Sequence, residues 1–209
     1  MWFILLCALA YLAGSVPTSI IAGKITRGID IREHGSRNPG ATNTFRVLGP
    51  RIGVTVGLID IFKGFAAVWL LPLLVPADPW AGEEFRRIAA GFTVIAGHVW
   101  TVFAGFRGGK GVGTAFGVFL ALAPVPSLIA MVVWCALTFG TGYVSLGSIA
   151  AAVVLPSAVI VEGMLRGEMS VPVAAIAAVV GALVIVRHRA NIGRLLRGEE
   201  NRFGRRNAV

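Results

Sequence analysis

Two short polar clusters hold most of the residues in this chain whose types could do chemistry: Arg32 to Arg46 (REHGSRNPGATNTFR) and Gly105 to Thr114 (GFRGGKGVGT). Glycine lets a backbone approach a ligand closely, N–H groups and hydroxyls donate hydrogen bonds, and Arg or Lys supplies charge. That combination suits a backbone-lined anion site, such as one for phosphate. In the first cluster Gly35, Pro39 and Gly40 shape turns, and Ser36, Asn38, Thr42, Asn43 and Thr44 offer donors. Arg37 and Arg46 add planar forks that match phosphate oxygens two at a time. A solvated basic loop would share the charge but not this density of glycine and short polar residues.

In the second cluster Gly108, Gly109, Lys110 and Gly111 lead into an apolar run. A helix starting there would present unpaired N–H groups and partial positive charge. The cluster is not a Walker loop, because Ala104 stands at the first glycine position and Gly111 follows Lys110. It is not a dinucleotide fingerprint either, because Phe116 stands where the last glycine belongs. ATP and NAD are therefore not indicated. A third cluster, Arg187-His188-Arg189-Ala190-Asn191, places His188 and Asn191 at i, i+3 on one helix face. It could orient a hydroxyl nucleophile beside a phosphate, or it could simply end a basic helix at a membrane surface. No GxSxG and no Ser–His–Asp order argue for a covalent acyl-enzyme. No carboxylate and histidine set has catalytic-metal spacing. Cys7 and Cys135 lie in apolar runs outside any CxxC pair, so neither metal nor disulfide is expected.

The elements that must carry these clusters are set by composition. The chain has 209 residues, of which 56% are hydrophobic and 14% charged. Its mean hydropathy is +0.80. Soluble domains carry about a quarter charged residues, so this is the composition of an integral membrane protein. The net charge is +9, and Arg and Lys concentrate in Lys24–Arg51, at Arg107 and Lys110, and in Arg187–Arg206; on the opposite face of the membrane only Arg86, Arg87 and Arg166 are expected, accompanied by Asp78, Glu83, Glu84, Glu162 and Glu168. Nucleic-acid binding does not follow from this charge, because no soluble domain remains to carry a basic surface.

Seven transmembrane helices are predicted: Trp2–Ala22, Ile52–Val75, Phe85–Ala104, Val112–Leu122, Pro126–Phe139, Val144–Val161 and Val171–Val186. The fourth and fifth are separated at Ala123-Pro124-Val125-Pro126, where two prolines break the helix. The first charge, Lys24, comes after the first apolar run, which is expected to be retained with its N-terminus outside. Seven spans then put the C-terminus in the cytoplasm. The basic segments agree, since polar loops 24–51 and 105–113 and the tail 187–209 all fall on one face. The whole chain, 1–209, reads as a single membrane domain. In the tail, Ile192, Leu195, Leu196 and Phe203 alternate with Arg194, Arg197 and Arg202, which suits a segment lying on the inner surface. A disordered basic tail drawn to anionic lipid is the alternative beyond Phe203.

A few polar residues sit within the spans. Asp60 and Lys63 share a face at i, i+3. They either pair with each other or face an interior site, since a lone charge in lipid costs several kcal/mol. His98 stands about two turns before the Gly105 loop, as a hydrogen-bonded core residue or as part of the site. Gly14-Ser15-Val16-Pro17-Thr18 disturbs the end of the first span and frees backbone groups. Close helix packing through small residues would explain it equally.

Taken together, GSVPT with Gly23-Lys24, HGSRNPGATNTFRVLG, IDIFKG, GHVWTVFAGFRGGKGVGT and HRANIGRLLRGEE resemble, in family order, the bacterial acyl-phosphate:glycerol-3-phosphate acyltransferase family of the PlsY type. The resemblance implies a multi-pass enzyme of the bacterial cytoplasmic (inner) membrane whose active site faces the cytoplasm. It implies transfer of an acyl group from acyl phosphate to the 1-hydroxyl of glycerol 3-phosphate. The products would be lysophosphatidic acid and phosphate, in the first acylation of phospholipid synthesis. It implies substrate-contacting positions at Ser36, Arg46, Lys110, His188 and Asn191, a phosphate cradle from Ser36 to Asn43, and a role for Glu200 in supporting the tail. Arg46, Lys110 and His188 are the expected catalytic residues. Ser36, Asn38, Gly40, Thr42, Asn43, Gly109, Gly111 and Asn191 are expected to bind substrate. Asp60, Lys63, His98 and Glu200 are expected to support the site. The family usually has Gly where this chain has Arg37, Lys for Arg107 and Ala for Gly113. If position 37 needs a positive φ, Arg there costs on the order of 1 kcal/mol; alternatively it adds a phosphate contact.

The chemistry fits the residues. An acyl phosphate is already activated, so no cofactor is expected. Two anionic head groups repel, which accounts for the surplus of Arg and Lys. Positioning and charge neutralisation can supply much of the acceleration. His188 is the best protein base, and the glycerol phosphate itself is the other acceptor for the proton. The partners expected are the two substrates and membrane lipid; a monomer is compatible, with the oligomeric state left open. A small anion or phosphate transporter of the inner membrane is the alternative. It would need a polar path to the outer face, where the connections are short and the spans apolar.

Overall fold

The computed structural model describes residues 1–202, and every regular element among them is helical. The part of the tail from Phe203 onward lies outside the described residues. Within the single membrane domain expected from the sequence, two compact units are distinguished, Met1–Leu122 and Ala123–Val209.

The first unit is built from α1 (Trp2–Ser15), α2 (Thr18–Arg27), α3 (Ala41–Leu48), α4 (Pro50–Trp69), the single turn α5 (Leu71–Leu74), α6 (Glu83–Val99) and α7 (Val112–Leu122). α1 and α2 form one apolar segment of 26 residues, interrupted where Pro17 removes a backbone N–H. α1 packs on α6 and α4 on α7 at backbone-to-backbone distance. A Cβ on Gly14 would stand 2.1 Å from the Val94 carbonyl oxygen, and one on Gly97 2.2 Å from that of Tyr11. Gly64 and Gly117 make the same approach to Thr114 and Ile61, at 2.2 and 1.9 Å. Lipid tails are as apolar as Leu, so helices in a bilayer are held by such close packing and by hydrogen bonds rather than by the hydrophobic effect. Large apolar side chains accordingly point outward, among them Leu58 and Phe62 on α4.

One end of this unit is tied by Asp78. Its carboxylate accepts from the Met1 ammonium at 3.1 Å and from the Phe3 N–H at 2.6 Å, which holds its pKa below the ordinary value. Nearby, the Arg86 side chain is buried because it donates to the carbonyls of Pro72 and Val75 at the end of α5. A helix end with unpaired carbonyls is a good site for a cation.

The second unit contains α8 (Pro124–Thr141), α9 (Val144–Arg166), α10 (Val171–Arg187) and α11 (Arg189–Leu196). α8 and α9 are joined through Gly142 at φ 81, and Ser170 caps α10 by accepting from the Val173 N–H at 3.2 Å. α10 and α11 meet at a bend of 57°.

The chain does break at Ala123, between α7 and α8, as its prolines require. Among the described residues, five helices are long and apolar enough to cross a membrane, or six if the bent pair counts as one span. The expected count of seven is not reached on length and composition because α7 has only 11 residues. At 1.5 Å per residue it is about 16 Å long, roughly half the hydrocarbon thickness. Span ends also differ: the first segment runs on to Arg27 and the sixth to Arg166. The second ends at Trp69 before a separate turn, and the third ends at Val99, with a 3₁₀ turn over Val102–Ala104 beyond it. The first polar cluster is less irregular than expected, since its second half is α3.

Candidate active site

The first polar cluster is a loop folded around one side chain. Asn43, in the first turn of α3, is 1% exposed. Its Oδ1 accepts from the Ser36 N–H at 2.8 Å, and its Nδ2 donates to the carbonyls of Ile31 and His34 at 3.2 and 2.9 Å. Thr44 is buried and donates to the Gly40 carbonyl at 3.1 Å. Asn43 therefore shapes the loop that was expected to cradle phosphate. Ser36 and Arg46 are exposed, and Asn38, Gly40 and Thr42 are half-buried. The N–H groups of Ala41 and Thr42 stand at the start of α3, where no helical carbonyl precedes them. Arg37 has φ 59, in the left-handed region. The strain conditionally attached to this position is therefore present.

The second cluster behaves differently from its sequence pattern. The N–H groups of Gly108 and Gly109 donate to the carbonyls of Val99 and His98, at 3.1 and 3.2 Å. They close the end of α6 instead of pointing donors at a ligand. What these glycines contribute is closeness: a Cβ on Gly109 would stand 2.3 Å from His98 Nε2 and 3.1 Å from the Pro39 carbonyl oxygen. Gly111 has φ 85 and turns the chain into α7, with Lys110 half-buried just before it.

His98, Gly108 and Gly109 line a narrow cleft together with Pro39 and the interrupted first helix at Gly14, Val16, Pro17 and Thr18. The cleft thus brings GSVPT, the first polar loop and the glycine-rich loop to one place. Ile20 and Thr101, which also line it, were not singled out from the sequence. Nor was Arg32, whose Nη1 donates to the Ala104 carbonyl at 3.0 Å and so links the two polar loops. Arg32 is itself held by Asp30, with Nη2 to Oδ2 at 2.7 Å. That hydrogen bond is the main cause that lowers the Asp30 pKa from 3.8 to about 2 and raises that of Arg32.

The intramembrane charges pair, with Lys63 Nζ 2.9 Å from Asp60 Oδ1. The pair also reaches the helix interruption. Thr18 Oγ1 donates to Asp60 Oδ1 at 2.6 Å, and Lys63 Nζ donates to the Val16 carbonyl at 3.3 Å. His98 Nδ1 lies 3.7 Å from the same Asp60 oxygen.

In the second unit, buried His188 has Nδ1 2.7 Å from the Val184 carbonyl oxygen. A carbonyl only accepts, so in the neutral ring the proton sits on Nδ1 and the lone pair on Nε2. Asn191 Nδ2 donates to Glu200 Oε1 at 2.7 Å. Glu200 is buried, accepts also from Ser145 Oγ at 3.1 Å, and pairs through Oε2 with Arg194 Nε at 2.7 Å. The carboxylate ties α11 to the start of α9, and with them the segment that follows α11. Beside it, Arg202 donates to the Tyr143 hydroxyl at 3.2 Å.

Residues 4–198 match the family model for glycerol-3-phosphate acyltransferase. The glycerol-3-phosphate acyltransferase of Chlorobaculum parvum is 42% identical over 228 aligned positions, covering 98% of each chain. That of Geobacter sulfurreducens is also 42% identical, over 96% of this chain and 97% of its own. The crystal structure of PlsY, an integral membrane glycerol 3-phosphate acyltransferase, in its glycerol 3-phosphate form superposes with a TM-score of 0.85 at 40% identity. That match covers 97% of this chain and 96% of the other. The lysophosphatidic acid form of PlsY superposes with a TM-score of 0.80. The transporter alternative is not favoured by these relatives. With an all-helical integral membrane fold, and with matches running from end to end, the chain belongs to the glycerol-3-phosphate acyltransferase family.

Proposed function

We propose that this protein transfers an acyl group from acyl phosphate to the 1-hydroxyl of glycerol 3-phosphate. The products are lysophosphatidic acid and inorganic phosphate. The observation that carries this reading is the cleft between the interrupted first helix, the Pro39 loop and Gly108–Gly109, in a chain that matches the family over residues 4–198. The hydroxyl oxygen attacks the acyl carbon, the bond from that carbon to the phosphate oxygen breaks, and phosphate leaves with its electron pair. The proton of the hydroxyl passes to His188 Nε2 or to a substrate phosphate oxygen. Because the leaving group is already good, no metal, nucleotide or coenzyme is assigned.

Arg46 and Lys110 neutralise substrate phosphates. Ser36, Asn38, Gly40 and Thr42 contact substrate from the first loop, and Asn43 acts by holding that loop. Gly109 acts by permitting close approach, with His98 as the wall, and Gly111 acts through its positive φ, which turns the chain into α7. His188 and Asn191 contact substrate, with Glu200 fixing the Asn191 amide. The protein is read as one membrane domain of the bacterial inner membrane, with seven membrane helices. Its N-terminus is outside, and its loops 24–51 and 105–113 and its C-terminus are cytoplasmic. One-sided placement of Arg and Lys supports this orientation. Mass-spectrometric product analysis with palmitoyl phosphate, palmitoyl-coenzyme A or palmitoyl-acyl carrier protein as donor tests the reading. Lysophosphatidic acid from palmitoyl phosphate alone is expected. Product from a thioester donor alone would contradict it.

A further inference from the structure

The interruption between α1 and α2 leaves carbonyls inside the membrane segment without helical partners. The structure accounts for two of them: Thr101 Oγ1 donates to the Ser15 carbonyl, and Lys63 Nζ to that of Val16, which also accepts from the Thr18 N–H at 3.0 Å. Lys63 would carry a bare charge there, but Asp60 Oδ1 lies 2.9 Å away. Asp60 in turn accepts from Thr18 on the far side of the interruption and lies beside His98. Val16, Thr18 and His98 all line the cleft, whereas Asp60 and Lys63 do not.

We propose that Asp60 and Lys63 are positioning residues: their ion pair stands behind the cleft and sets three of its walls, the Val16 carbonyl, the Thr18 side chain and the His98 ring. The proposal rests on the cleft being the site of substrate binding. A pair needed only for folding could be replaced by neutral residues of similar size, since burying two charges costs about as much as their attraction returns. A positioning pair cannot, because the ammonium and carboxylate each hold a separate group. A displacement of about 1 Å at such a wall can cost about 100-fold in rate.

The test uses the full-length protein purified in detergent, with thermal unfolding measured beside kcat and KM for glycerol 3-phosphate and palmitoyl phosphate. Removing one charge alone would strand the other, so the first variant is the double one, Asp60→Asn with Lys63→Met. It is expected to melt within a few degrees of wild type yet to lose at least about 10-fold in kcat/KM. Asp60→Glu is the second variant. It keeps the charge and the pairing but moves the carboxylate by one methylene away from Thr18 and His98. It is expected to fold and to lose activity as well, with the thermal shift produced by glycerol 3-phosphate diminished. Wild-type kcat/KM in a folded double variant would overturn the proposal. If the double variant does not fold, Asp60→Glu decides, and wild-type kinetic constants in it would overturn the proposal equally. Transfer activity in the wild-type protein, measured in parallel, separates failure of this proposal from failure of the assigned reaction.

Discussion

His98 Nε2 occupies the space that a side chain on Gly109 would need, 2.3 Å from where its Cβ would stand. The Pro39 carbonyl closes the same space from the other side, at 3.1 Å. His98 is buried with its Nδ1 3.7 Å from Asp60 Oδ1, so a ring that withdrew would disturb that contact. Gly109→Ala is therefore expected to push the glycine-rich loop away from the Pro39 loop. Overpacking of this kind costs about 1–3 kcal/mol. Activity should fall further than stability, because the displaced loop carries Lys110. Thermal unfolding and turnover of the purified variant check this, and wild-type turnover would mean the loop can yield without consequence.

Asn43 and Arg37 make opposite predictions within one loop. Asn43→Ala removes three hydrogen bonds to backbone groups, and each unsatisfied buried partner costs about 1–3 kcal/mol. The loop should lose its shape, and the KM for a phosphate substrate should rise although both Asn43 Nδ2 hydrogens are already given to backbone carbonyls. Arg37→Gly relieves a left-handed residue and should raise stability by about 1 kcal/mol. Its effect on KM is a separate readout. An unchanged KM would show that Arg37 makes no phosphate contact.

The Asp30–Arg32 clasp predicts a pH dependence. Hydrogen bonding to Arg32 lowers the Asp30 pKa from 3.8 to about 2. A carboxylate depressed in the folded state contributes stability that is fully present above pH 3.8 and is lost as pH falls towards 2. The difference in melting temperature between wild type and Asp30→Asn should therefore be largest above pH 4 and shrink as pH approaches 2. A difference that stays constant across this range would remove the clasp from the account.

Orientation is open to chemical labelling. In a background lacking Cys7 and Cys135, a cysteine at Ser36 or Glu199 should resist an impermeant thiol reagent in intact cells, and one at Ala77 should react. All three positions are exposed. Labelling of Glu199→Cys from outside would invert the second unit's assigned orientation.

Much of this architecture was legible in the sequence because membrane solvent makes polar residues conspicuous. Asp60 and Lys63 stood out at i, i+3 within an apolar run, and they do pair. The proline break at Ala123 was readable for the same reason, since nothing replaces a lost helical hydrogen bond in lipid except protein. Partners distant in the chain were not legible. No local pattern says that Lys63 reaches the Val16 carbonyl, that Arg32 reaches Ala104, or that three donors converge on Glu200. In the glycine-rich loop the pattern did not show that the Gly108 and Gly109 N–H groups close α6, because the end of a helix also needs donors. The start of α3 was hidden by Gly40 and the short polar residues around it, which favour turns locally.

The central claim is acyl transfer from acyl phosphate, with charge neutralisation by Arg46 and Lys110. The measurement that tests it most directly is phosphate release from palmitoyl phosphate by purified, monodisperse protein, with and without glycerol 3-phosphate. Release by the wild-type protein should require both substrates, survive EDTA and need neither ATP nor coenzyme A. Lys110→Ala and Arg46→Ala should each reduce it by roughly 100-fold or more while the protein stays folded. Arg46→Lys should remain impaired, because a point charge does not replace a bidentate fork. Phosphate release that ignores glycerol 3-phosphate, or wild-type rates in both alanine variants, would contradict the account.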